Sequence, residues 1–173
     1  MKTLRLSCAH ALFKFLIAQK TIIDGKKAPL FPGAFAIYGH GNVACLGQAM
    51  EEFQSDLPGY RGHHEQSMAL SGIGYARAMR RKQIFIATSS SGPGAMNMVT
   101  AAGVALSNRL PLLLLPGDVF ASRFPDPVLQ QVENFNSPVE NQNDAFKPVS
   151  RFFDRITRPE QILNSLPQAI QIM

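Results

Sequence analysis

Residues 60–76 read Tyr-Arg-Gly-His-His-Glu-Gln-Ser-Met-Ala-Leu-Ser-Gly-Ile-Gly-Tyr-Ala, and Glu65 is the only acid among them. The pattern predicts a helix that starts at Glu65 and carries Ala69, Gly72 and Ala76 on one side. A face of such small residues lets another backbone approach closely, either in ordinary helix packing or across a subunit boundary. A carboxylate in a largely apolar setting is either paired or engaged in proton chemistry.

The run Thr88-Ser89-Ser90-Ser91-Gly92-Pro93-Gly94 is a second candidate. It is a polar, glycine-rich turn of the kind that offers backbone N–H groups to an anion at a helix start. No Gly-Lys-Ser/Thr follows it, and it is not Gly-x-Gly-x-x-Gly, so neither familiar phosphate loop is present. A structural role is the plain reading. Ser89 to Ser91 also lack the Gly-x-Ser-x-Gly setting of a hydrolase nucleophile. His63 and His64 adjoin Glu65 and His40 sits in a strand-end turn, but no His-Glu-x-x-His spacing exists, so no metal site is expected in this chain. Gly117-Asp118-Val119 has the look of a metal and diphosphate motif without the Asn-Asn that should follow.

The elements that must hold these groups alternate. Ser7 can cap a helix to about Gln19. A loop covers Asp24-Gly25 and Pro29 to Gly33, and a strand runs from Ala34 to Tyr38. Gly39-His40-Gly41-Asn42 turns into a helix from about Val43 to Phe53. A short extended piece to Arg61 leads into the Glu65 helix, which runs to about Arg80. Strands are expected at Gln83–Ala87, Leu110–Leu115 and Phe152–Ile156. Helices are expected at Ala95–Ser107, near Val128–Glu133, around Asn141–Phe146, and from Arg158-Pro159-Glu160 through Ile172. Apolar strands alternating with helices predict an α/β fold, three layers with a mostly parallel sheet. Ligands of such sheets bind beyond the carboxyl ends of the strands.

The 173 residues carry a net charge of +5, with 46% apolar and 17% charged side chains. That composition suits one globular domain with a real core. The basic residues are scattered, and the nearest cluster, Arg77, Arg80, Arg81 and Lys82, falls at a helix end where cations complement the dipole. Nucleic acid is therefore not an expected partner. No apolar run is long enough to span a membrane, and the start lacks the apolar region of a secretion signal. Cys8 and Cys45 have no metal-ligand spacing and read as reduced thiols of a cytoplasmic chain.

Several segments together resemble the N-terminal, pyrimidine-binding domain of thiamine-diphosphate enzymes. His64-Glu65-Gln66 followed by Gly74-Tyr75-Ala76-Arg77-Ala78 is similar to the family's glutamate helix. Thr88 to Gly94 with Ala95 and Asn97 resembles its Thr-Ser-Gly-Pro-Gly-Ala-x-Asn turn with extra serine, two residues of it. Tyr38 to Asn42 resembles its first strand-end turn, and Asp144-Ala145-Phe146 a later segment of the acetolactate synthase branch. Gly39 to Val43, Tyr60 to His63, Leu114 to Asp118, Pro125 to Gln131 and Arg155 to Gln161 are similar to a branch of inositol catabolism that hydrolyses a cyclic 1,2-dione. The resemblance covers residues from about 5 to 173.

That resemblance implies thiamine diphosphate and a divalent metal, Mg2+, as cofactors. It implies that Glu65 is catalytic, hydrogen-bonding the far nitrogen of the cofactor's aminopyrimidine and promoting the tautomer that accepts the thiazolium proton. Gly39, His40, Pro93 and Asn97 would line the cofactor, and Phe146 and Lys147 the substrate. Lys147 departs from the glutamine common after Asp-Ala-Phe in acetolactate synthases, which sets an acetolactate-type reaction in doubt. The metal and diphosphate motif belongs to another domain, of the same or a second subunit, in a homodimer or tetramer. Residues 1–173 are thus expected to be one pyrimidine-binding domain, a piece lacking its last strand and inactive alone. A carboligase or lyase of the acetolactate synthase type and a non-catalytic module of the same fold stay open beside the dione hydrolase.

Overall fold

Apolar residues on both phases of a period-two pattern build the central sheet. The computed structural model describes residues 4–118, 121, 129, 130, 132, 134, 137 and 140–173. Helix α1 (Cys8–Ala18) is capped by Ser7, whose side chain accepts from the His10 N–H. An antiparallel hairpin follows, β1 (Lys20–Ile23) with β2 (Lys26–Pro29). Its Asp24-Gly25 turn has both residues at positive φ, 48° and 77°, the geometry that matches strand twist in a two-residue hairpin. The loop expected at Asp24-Gly25 is thus the tip of a hairpin.

Strands β3 (Ala34–Ala36), β4 (Gly59–Arg61), β5 (Ile86–Ser89) and β6 (Leu113–Pro116) form a parallel sheet in the order β4-β3-β5-β6. The register sets Phe35 beside Tyr60 and Ala87, and Ala87 beside Leu114. Ala34, Ala36, Ile86 and Leu113 face a core made with Leu12, Phe13 and Leu16 of α1, Met50, and Ile162 and Leu166. Phe35, Ala87, Leu112 and Leu114 face a second core with Ala69, Ile73, Met98, Ala101 and Ala105. Burial on both faces is why these strands carry no polar alternation, and the three-layer α/β expectation holds.

The first core is closed by Leu46 of a π-helical turn (Val43–Gly47), which continues α2 (Gly39–Asn42), and by α3 (Gln48–Glu52) and α7 (Ile162–Ile172). The second is closed by α4 (Glu65–Ala78) and by the pair α5 (Pro93–Met96) and α6 (Val99–Asn108). Ala69, Gly72 and Ala76 of α4 all turn inward. A Cβ on Gly72 would meet Leu112 Cδ1 at 3.1 Å and Phe85 Cβ at 3.4 Å. The small-residue face therefore packs α4 onto its own sheet, and of the two readings the structure takes helix packing.

Several expected boundaries move. The helix expected at Val43 begins at Gly39, and the one expected over Ala95–Ser107 breaks at Asn97 and Met98. Phe152–Ile156 pairs with no strand among the described residues. Side chains hold that segment instead, Asp154 to Ser165 and Arg155 to Asp118 and Asp144. Around Asn141–Phe146 the chain makes a 3-10 helix, Gln142–Val149, opened by a capping box between Asn141 and Asp144. The expected Val128–Glu133 helix lies largely outside the described residues. Both cysteines are free thiols. Burial first, and the neighbouring Cys45 second, push the Cys8 thiol up. No described helix is long and apolar enough to cross a membrane.

Candidate functional site

The turns that leave β3, β4, β5 and β6 at their carboxyl ends gather at one edge of the sheet, where open α/β sheets take ligands. After β4 the chain runs Gly62-His63-His64, with His64 still extended, and Glu65 opens α4. A carboxylate in the first turn is favoured by the exposed N–H groups of the helix end. Glu65 Oε2 accepts a hydrogen bond from Asn97 Nδ2 at 3.0 Å. The other oxygen lies against Gly94, where an added Cβ would stand 2.9 Å from Oε1 and 2.6 Å from Ser90 Oγ. Glycine is what this close approach requires.

Gly39 too leaves no room for a side chain. It has φ +53°, and a Cβ there would fall onto the Ser90 side chain. Ser90 thus stands between Gly39 of α2 and Gly94 of α5 and ties the first strand-end turn to the turn beside Glu65. Thr88, Ser89, Ser90 and Ser91 are all buried. Thr88 Oγ1 donates to the Leu115 carbonyl at 2.7 Å, Ser89 Oγ to that of Ser90 at 2.9 Å, and Ser90 Oγ to that of Ser91 at 3.1 Å. Ser91 Oγ alone has no partner, although Ser91 is 0% exposed. An unpaired buried hydroxyl is costly, and this one lies beside Gly41.

His40 is exposed, and its backbone N–H donates to Gln130 Oε1 at 3.0 Å. Asn42 Nδ2 donates to the Ser89 carbonyl at 2.6 Å, and Asn143 Nδ2 to the Gly117 carbonyl at 2.9 Å. Gly117 in turn donates its N–H to the Ser89 carbonyl. Asp118, the acid of the Gly-Asp-Val segment, is engaged by Arg155 Nε at 3.0 Å and Asn141 Nδ2 at 2.8 Å.

Glu65, Asn97 and Gly94 are therefore brought together, and Gly39 joins them through Ser90. Pro93 opens α5 and is exposed. Phe146 is a core residue, 4% exposed and packed with Met98, Ala101 and Ala102. Lys147 is exposed, with Nζ 3.1 Å from Asp144 Oδ1 and 5.6 Å from the centre of the Phe153 ring. Burial alone raises the Asp144 carboxyl, but hydrogen bonds from Lys147 and the Asn141 N–H, with the charges of Arg155 and Lys147, outweigh it and hold it below the usual carboxylate range. Sequence reasoning places Ser90 and Gly94 only as members of the 88–94 turn, without their contacts to Gly39 and Glu65, and misses Gln130. A serine within a polar run gives no signal of burial, and Gln130 acts from 90 residues away from His40.

The family model for the thiamine pyrophosphate enzyme N-terminal TPP-binding domain matches residues 33–137. Curated relatives named 3D-(3,5/4)-trihydroxycyclohexane-1,2-dione hydrolase are also similar. Those of Shouchella clausii, Bacillus velezensis and Bacillus subtilis are 52%, 51% and 51% identical to the chain over 172 residues. The match takes in 99% of this chain and 27% of each relative. The chain thus spans about a quarter of the length of the relatives it matches.

Proposed function

The chain belongs to the thiamine pyrophosphate enzyme family, as an N-terminal TPP-binding domain, and from that premise we propose that Glu65 activates thiamine diphosphate in a hydrolase that opens a cyclic 1,2-dione. The observation that carries the reading is the Glu65 carboxylate. It stands at the carboxyl ends of parallel strands, with one oxygen held by Asn97 and the other against side-chain-free Gly94. The residues fit the group. Gly94 presents bare backbone to the carboxylate, and the buried Ser91 Oγ is a polar atom left unpaired at the same strand end.

When bound, thiamine diphosphate supplies a carbon nucleophile on its thiazolium ring and an aminopyrimidine that serves as its own base. The work of this chain is proton handling and placement. Glu65 holds a proton at the far pyrimidine nitrogen, general acid–base work worth about 10²–10⁴ in rate. Gly39, His40 and Pro93 form the walls that face the ring. Lys147 is the cation available to a polyhydroxylated or anionic substrate, and Phe146 seats its helix from below. Mg2+ and the diphosphate are held by another domain, of the same or a second subunit, in a homodimer or tetramer. The enzyme is cytoplasmic. Residues 1–173 are one pyrimidine-binding domain, and a further strand of the longer protein completes its sheet beside β6.

The dione assignment rests on the named relatives and the 51–52% identity over this chain. Turnover of the full-length protein with the trihydroxycyclohexane-dione and with pyruvate tests it. Ring opening of the dione with no carboligation of pyruvate is the expected result. Carboligation without dione hydrolysis moves the chain to the acetolactate synthase type, and no turnover of either makes it a non-catalytic module.

A further inference from the structure

We propose that Asn97 is a positioning residue that makes the two oxygens of Glu65 inequivalent, so that Oε1 alone carries the proton exchanged with the cofactor ring. The inference deepens the reading of Glu65 just given and rests on it. Asn97 stands in the two-residue break between α5 and α6. Its N–H donates to the Pro93 carbonyl at 3.1 Å and the next N–H, of Met98, to that of Ala95 at 3.0 Å. The last turn of α5 is what aims the side chain. Asn97 keeps the i→i−4 bond of that turn and only Met98 tightens to i→i−3, so the end of α5 holds the Asn97 amide 3.0 Å from Oε2 while α6 starts on a new course.

A side-chain NH2 only donates. While it points at Oε2, that oxygen accepts and has no proton to give in that direction. The proton position that leaves the Asn97 bond at full strength is Oε1, which lies against the bare backbone of Gly94. One of the added serines of the turn serves the same end. Ser90 fills the space between Gly39 and Gly94, so the carboxylate cannot swing toward the sheet. A carboxyl group with one oxygen pinned and the other open toward the crevice is already in its working rotamer, and removal of such pre-orientation typically costs about tenfold or more in rate.

The test uses the full-length enzyme with Asn97→Asp, Asn97→Ala and, as control, Glu65→Gln. Asn97→Asp keeps the shape and removes the donor, so it separates positioning from packing. The readouts are kcat and KM, the thiamine diphosphate dissociation constant by calorimetry, and the circular-dichroism bands of the bound aminopyrimidine and its imino tautomer. Expected are a loss of about 10–100-fold in kcat for both Asn97 variants, KM within about twofold of wild type, and a weakened imino band. Wild-type kcat with a wild-type imino band in Asn97→Asp overturns the proposal. Asn97 is exposed, so Asn97→Ala decides the question in the same way if the carboxylate pair of Asn97→Asp unfolds the protein. Silent Asn97 variants beside a disabled Glu65→Gln would remove the positioning role and leave the Glu65 reading intact. A fully active Glu65→Gln would remove both.

Discussion

The side chain of Glu65 meets two constraints of different kinds, a donated hydrogen bond on Oε2 and an absent side chain beside Oε1. Each predicts a distinct loss. Glu65→Gln keeps the shape and deletes the ionisable proton, so turnover of the full-length enzyme should fall by about 10²-fold or more with folding unchanged. Steady-state kinetics beside a thermal melt checks this, and an active, well-folded variant would sink the role. Gly94→Ala acts by volume. Its methyl would stand 2.9 Å from Oε1 and 2.6 Å from Ser90 Oγ, both inside contact distance. The carboxylate must shift by several tenths of an ångström, and small misplacements of a reacting group cost about 10–100-fold. Turnover should fall and cofactor affinity weaken together, measured by kinetics and calorimetry on the same preparation. Retained affinity with normal turnover would show that the site relaxes around the methyl. The acid is legible from the sequence because it stands alone in an apolar stretch. The glycine is legible only as part of a turn, since what it makes room for lies on another helix.

At the scale of elements, the loop ends are fixed by charge as much as by packing. Arg155 reaches Asp118 at 3.0 Å and Asp144 at 2.8 Å, and so clamps the 151–156 segment and the Gln142–Val149 helix to the end of β6. Arg155→Ala should cost about 1–2 kcal/mol in urea unfolding, because both carboxylates lose a charge-assisted partner while keeping partial solvent access. The pH dependence has a definite sign. The folded Asp144 carboxyl is held below its unfolded value, so the folded state binds fewer protons. Its contribution is complete above about pH 4, the unfolded carboxylate value, and is lost as pH falls through the lower folded one. The stability difference between wild type and Asp144→Asn should therefore narrow below about pH 4, read from urea curves across pH. A constant difference would mean that the carboxylate is not what the clamp uses. This clamp explains why Phe152–Ile156 looks like a strand in sequence and is not paired as one. Hydropathy shows that a segment is half-buried and not whether a neighbouring strand is within reach. Strand β5 departs in the other direction. The expected segment stops at Ala87 because Thr88 and Ser89 are polar, yet both are buried and both continue the ladder. Their hydroxyls bond backbone carbonyls, which satisfies them inside the sheet. The hairpin at 20–29 carries the Asp-Gly signal of a tight turn, but its lysine-rich strands lack the apolar alternation that marks a sheet.

At the scale of the whole molecule, alternation of apolar strands and helices is enough to predict the layers, and the strand ends are enough to locate the crevice. What the pattern cannot show is the open side of the sheet. Strand β6 has β5 on one flank and no strand on the other among the described residues. Along it runs an apolar cavity of about 230 Å³, lined among others by Leu113, Leu115, Phe152, Ile156, Ile162 and Ile172. An uncovered strand edge with apolar walls is a pairing template. The relatives are nearly four times as long as the stretch they share with this chain, which is 27% of each. The occupant we propose is therefore a strand from the part of such longer proteins outside the shared stretch, laid parallel to β6. α7 lies along the groove, with Ile172 and Met173 in its lining, and a parallel strand reached from β6 by a right-handed crossover would fall on that edge. A protein extended by about 15 residues past Met173 should bind less of an apolar-surface dye than residues 1–173 and protect the β6 amides from hydrogen exchange. Equal dye binding and equal exchange in the two lengths would leave the groove without this occupant. Dimers of the short form that persist in the extended form, seen by light scattering, would assign the groove to a second copy of the chain.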